Sequence, residues 1–159
     1  MRKVMIAVAV AALTAGPLFA AETSDKADVM GVVNQLLDAF NILDAFNKGD
    51  QKAVLALCVD DMSIIDEFPP YEWHGAGAFA KWFADYDADC KKNGVTDGIV
   101  TLDKPRHVVV TGDRAYVVAP SHYAYKQNGK PKKEAGEDTM TLQKGKDGWR
   151  FTGWCWAKH

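Results

Sequence analysis

The stretch Ser63-Ile64-Ile65-Asp66-Glu67-Phe68-Pro69-Pro70 decides how the chain folds. Side chains alternate along a strand, so Ile64, Asp66 and Phe68 share one face while Ser63, Ile65 and Glu67 share the other. An acid therefore sits in an apolar row. Pro69-Pro70 stops a regular central strand, and Tyr71 to His74 reads as a returning strand or loop. The same parity sets Asp138 beside Met140 and Leu142, opposite Glu137, Thr139 and Thr141. Carboxyls aimed into an apolar interior are costly unless paired, hydrogen-bonded or used in chemistry. Asp66 and Asp138 are thus predicted to face one working pocket, with Glu67 at its rim or in solvent.

Upstream, Val29, Val32, Val33, Leu36 and Phe40 recur at helical spacing and predict a first helix from about Lys26 to Phe46. Asp38-Ala39-Phe40-Asn41 is repeated as Asp44-Ala45-Phe46-Asn47, and six residues of helix turn the chain by about 600°, so Phe40 and Phe46 cannot share a regular face. Lys48-Gly49 ends that helix, and Asp50 is placed to cap a short second one carrying Val54, Leu55 and Leu57. After Gly75 to Gly77, a third helix is predicted from Ala78 to Lys92, with Phe79, Trp82, Phe83 and Tyr86 on one face and Asn93-Gly94 as its stop.

The remainder reads as an antiparallel meander: Ile99 to Val110, Ala115 to Lys126, Glu134 to Lys144 and Trp149 to Lys158, with turns at Gly112-Asp113, Asn128-Gly129 and Asp147-Gly148. The class is α+β, with three N-terminal helices packed on a curved, mainly antiparallel sheet around a cone-shaped cavity. Trp149 differs in parity from Trp154 and Trp156, which implies that both sheet faces are covered and makes the outer face a candidate homodimer surface.

The run from Gly49-Asp50 to Asp60-Asp61, the strand holding Asp66, the turn to Gly75, the aromatic helix and the Gly-Trp final strand resemble the NTF2-like superfamily. That superfamily includes ketosteroid isomerases and SnoaL-type polyketide cyclases. The resemblance implies Asp66 as a general base and Asp138 as a hydrogen-bonding acid, with Trp156 as a pocket wall. Where the isomerases carry an oxyanion-stabilising tyrosine, this chain has Ile42 by count from Gly49. Losing one such donor costs about 2.7 to 4 kcal/mol of barrier, which disfavours steroid isomerisation.

The leading functional expectation is a small-molecule-binding protein whose cavity takes an apolar or carbonyl-containing ligand. One alternative is a cofactor-independent isomerase, cyclase or dehydratase using Asp66 as base and Asp138 as acid. A second is a non-catalytic assembly or accessory domain. Structural roles compete for both acids: Asp66 bound by backbone amides near Pro69, Asp138 by a tyrosine or tryptophan donor. His74, Trp82, Tyr116, His122 and Trp156 are the candidate ligand contacts, each with a packing or capping role as its plainer reading.

At the N-terminus, Arg2 and Lys3 precede the apolar run Val4 to Leu13, then Gly16-Pro17 and Phe19-Ala20-Ala21. This reads as an export signal over residues 1–21, cleaved after Ala20 or Ala21, leaving one domain over 22–159 in the periplasm or outside the cell. The run is too short to span a bilayer, so no membrane association is expected after cleavage. The formal charge of −2 becomes −4 once Arg2 and Lys3 leave, and no basic stripe is interleaved with aromatics, which argues against nucleic acid. Cys58, Cys90 and Cys155 allow at most one internal bridge from three pairings. The histidines lack metal-ligand spacing with them, so no metal is expected. No serine nucleophile elbow, phosphate loop or dinucleotide fingerprint occurs, so no cofactor is expected either.

Overall fold

The computed structural model describes residues 17–44 and 51–159. The core of the expected export signal lies outside the described residues, as do most of the second Asp-Ala-Phe-Asn copy and the Lys48 to Asp50 boundary. The elements are α1 (Pro17–Asp44), α2 (Gln51–Leu57), β1 (Cys58–Ile65), β2 (Glu72–Ala76), α3 (Ala78–Asn93), β3 (Val95–Leu102), β4 (His107–Thr111), β5 (Arg114–Gln127), β6 (Lys130–Gly145) and β7 (Gly148–Lys158). α1 starts earlier than expected, because Ala20 and Ala21 favour helix and nothing in that stretch breaks it.

The expectation of three N-terminal helices is corrected: α3 follows the β1–β2 hairpin. One sheet runs in the order β2-β1-β7-β6-β5-β3, with β4 also on β5. Every pairing is antiparallel except β1 with β7. The single strand expected over Ile99 to Val110 is two, since Pro105 interrupts it. The long β5 serves both: Val118 pairs with His107 of β4 and Ser121 with Leu102 of β3. Pro120, lacking an N–H, lies opposite the gap between them and accepts the Asp103 amide at 2.9 Å.

Helices and sheet close on one apolar layer. Val29, Val33 and Leu36 project from α1 at spacings of four and three, and Phe79 and Trp82 from α3. They meet Met62, Ile64, Val117, Ala119, Met140, Leu142 and Phe151 on the concave side of the sheet. Gly94, in the left-handed conformation at φ 64°, ends α3 as expected.

A bulge corrects the parity reading of β7. Thr141 pairs with Gly153 but Leu142 with Phe151, so Thr152 is the extra residue. The slip returns Trp154 and Trp156 to the concave face already used by Trp149 and Phe151. The tryptophans therefore do not mark two covered faces. Glycine is required beside this bulge, where a Cβ on Gly153 would stand 2.5 Å from the Ser63 carbonyl oxygen of β1.

Candidate functional site

β1 ends one residue before Asp66, yet the alternation persists: Met62 and Ile64 are buried, Ser63 and Ile65 exposed, and Phe68 packs inward against Trp73. Asp66 opens onto a cavity of about 410 Å³ enclosed by α1, α3 and the concave sheet. α3 adds Trp82 and Tyr86, β5 adds Tyr123 and Tyr125, and β7 adds Trp154 and Trp156. β6 adds Glu134, Asp138 and Met140 at even positions, as one strand face must.

The two acids occupy different surroundings. Burial pushes the Asp66 carboxyl up, but the Glu67 amide and the Trp82 indole, at 2.7 and 2.9 Å, oppose that by hydrogen-bonding its charged form. Asp138 is pushed up to about 7, first by burial and then by the charge of Asp66. The fully buried Ser121 hydroxyl tempers this shift, though its geometry falls short of a formed hydrogen bond. Near neutral pH Asp138 therefore shares its time between acid and carboxylate. Its cross-strand partner is Trp156, whose ring passes over Gly136, where a Cβ would stand 2.7 Å from the indole.

A polar cluster marks the rim. The Lys158 ammonium donates to Glu134 at 2.6 Å and lies 3.9 Å from Glu67, while the Tyr125 hydroxyl donates to Glu134 at 2.9 Å. Burial raises Glu134, but Lys158 and Tyr125 outweigh it and the net effect is a lowered value. Glu67 goes up, through burial and then its neighbour Glu134. Burial and the Glu134 charge hold the Tyr125 phenol at about 12.

Of the sequence candidates, Asp66, Asp138, Trp82 and Trp156 line the cavity and Glu67 sits at its rim. His74, Tyr116 and His122 do not reach it. His74 is exposed on β2 opposite Ser63. Tyr116 and His122 occupy even positions of β5, and the cavity takes the odd ones; His122 contacts Asp103 at 3.2 Å instead. Sequence reading missed Tyr86, Tyr123, Tyr125 and Glu134. The signal was available in part, since Glu134 shares its parity with Asp138 and Tyr123 with Tyr125. The Tyr86 and Tyr123 hydroxyls are 2.6 Å apart.

All three cysteines are free thiols, none forming the bridge that the sequence allowed. Burial pushes Cys58 up to about 12. Among the described residues no cluster of three or more His, Cys, Asp or Glu side chains is arranged to hold a metal. Nor is any helix there long and apolar enough to cross a membrane.

A curved sheet wrapped around α3 with acids inside the cone defines a class, and comparison agrees with it. Residues 33–154 match the SnoaL-like domain, and the chain belongs to that family within the NTF2-like superfamily. Its structure is similar to an NTF2-like superfamily protein from Salmonella enterica serovar Typhimurium LT2: TM-score 0.69, 19% identity, covering 86% of this chain and 92% of that one. A ketosteroid isomerase-like protein from Erwinia carotovora atroseptica gives TM-score 0.62 and 20% identity, covering 84% and 95%. The CaMKII hub of S. rosetta gives TM-score 0.66 and 22% identity, covering 92% and 100%. At these identities the likeness is one of fold. No curated protein matches the sequence.

Proposed function

We propose that this is an exported, homodimeric binding protein whose cavity holds a small apolar or carbonyl-containing molecule. The observation carrying this reading is the pair Asp66 and Asp138 opening onto one aromatic-walled cavity of about 410 Å³, a size suited to a small ligand. A chain needing only a stable core would fill that space with its own side chains. The fold's use in a hub supports the homodimer as an assembly of copies. The test is titration with the neutral dye Nile red. Saturable binding is expected, together with its loss in a cavity-filling Met140→Trp variant that still folds; absence of binding to the wild type contradicts the reading.

A second reading is favoured by the contrast between the acids. Asp66 receives two hydrogen bonds that favour its charged form, while burial and the Asp66 charge leave Asp138 partly protonated near neutrality. That is the division a proton-transfer enzyme requires. Asp66 would take the proton from a carbon next to a carbonyl and return it at another carbon, while the Asp138 O–H donates a hydrogen bond to the enolate oxygen. An Asp66→Asn variant is then expected to lose turnover of a bound carbonyl substrate while keeping affinity for it. Unchanged turnover removes Asp66 from the mechanism.

A further inference from the structure

Among the described residues the groups on the cavity lining that can carry charge near neutral pH are carboxyls. Asp66, Glu67, Asp89, Glu134 and Asp138 contribute, and none of the described Lys, Arg or His side chains does. At the rim Lys158 answers Glu134 and Glu67, and on α3 the Asn93 amide donates to Asp89 at 2.9 Å. Deeper in, neither Asp66 nor Asp138 has a cationic partner among the described residues, and their neighbours Trp82 and Ser121 are uncharged. Two enclosed carboxyls without a counter-charge are an expensive arrangement for a protein to keep.

The walls point the same way. Trp82 meets Trp154 edge-on, with ring centroids 5.3 Å apart at 90°, and stacks on Tyr86 at 5.3 Å and 14°. All three rings line the cavity, and aromatic rings attract cations. An anionic ligand would meet like charge on the described lining, in surroundings that screen it poorly.

We propose that the cavity selects an organic cation: a compact hydrophobic amine whose ammonium sits between Asp66 and Asp138 and whose apolar body lies against Trp82, Trp154 and Trp156. This rests on the proposed reading of the cavity as a ligand site and specifies the ligand's charge. The ammonium supplies the counter-charge that the described residues do not, and the desolvated pair gains from a low-dielectric setting.

The experiment is calorimetry at neutral pH with three probes sharing one ring and one two-carbon arm: tryptamine, tryptophol and indole-3-propionate. Tryptamine is expected to bind at least about tenfold more tightly than tryptophol, with indole-3-propionate weakest, given the coupling of close desolvated charge pairs. In the Asp66→Asn, Asp138→Asn double variant that preference is expected to fall towards unity. In the unmodified protein, tryptamine is expected to displace both ¹³C carboxyl resonances more than tryptophol does, a readout independent of how the variant folds. Tryptophol binding as tightly as tryptamine overturns the inference while leaving the cavity a ligand site. So does a preference for tryptamine that survives in the double variant, or one without the carboxyl displacement. If none of the three binds while Nile red does, this inference fails and the cavity remains a ligand site; if Nile red also fails to bind, both readings fall.

Discussion

The Trp82 indole N–H donates to Asp66 Oδ2 at 2.9 Å, tying the middle of α3 to the turn that follows β1. The bond sits at the cavity wall, where water competes weakly, and so it both fixes the carboxyl and favours its charge. Trp82→Phe keeps most of the ring but loses the donor. Expected are a loss of about 1.5 to 3 kcal/mol in urea unfolding and a further rise in the Asp66 titration. An unchanged Asp66 titration contradicts the assignment.

Asp138 links stability to pH. The folded protein keeps its proton up to about pH 7, while the unfolded chain gives it up near 3.8. Across that window the unfolded state binds fewer protons, so this residue's effect is to lower stability as pH rises, and the penalty is complete above pH 7. Asp138→Asn cannot ionise and should remove that slope. The variant is expected to be more stable than wild type above pH 7, by at most about 4 kcal/mol, and nearly equal to it near pH 4. Urea unfolding at both ends of the window measures the difference.

Thiol chemistry follows from burial. Cys58 is enclosed and held as the thiol, whereas Cys90 and Cys155 are partly exposed. Iodoacetamide is expected to modify Cys58 only after denaturation, and Cys155 in the folded protein but more slowly than after denaturation, since burial and then the Asp138 and Asp66 charges also push its thiol up and the thiolate is the reactive form. Peptide mapping by mass spectrometry checks this, and rapid native labelling of Cys58 contradicts it.

Gly153 lets β1 lie against β7. A methyl group there would stand 2.5 Å from the Ser63 carbonyl oxygen, so the parallel pair must separate. Gly153→Ala is expected to cost about 1 to 3 kcal/mol, read as a lowered Tm. A variant as stable as wild type would mean that the β1–β7 contact is looser than described.

Much of this arrangement is written in short-range pattern. The apolar spacing of Val29, Val33 and Leu36, the aromatic face of α3 with Gly94 behind it, and the alternation through Ile64 into Phe68 are local signals, and they locate the helices and orient Asp66. What escaped depends on partners distant in sequence. Val117 and Val118 are adjacent and both buried, so β5 carries no parity signal in its middle, and nothing local tells that Tyr116 and His122 turn away from the cavity. The Thr152 bulge is set by pairing with β6, which single-strand parity cannot foresee. Pro105 was visible, but its effect, splitting one strand into two served by the same neighbour, appears only with β5 in place.

The central claim is that Asp66 and Asp138 sense each other inside one cavity. Following every carboxyl by ¹³C NMR through a pH titration measures this directly. Asp138 is expected to titrate near 7, Asp66 above the ordinary aspartate range, and Asp138 to move downward in Asp66→Asn, since the Asp66 charge helps to raise it. Both acids titrating near 4, or an Asp138 indifferent to the Asp66 substitution, would contradict the account.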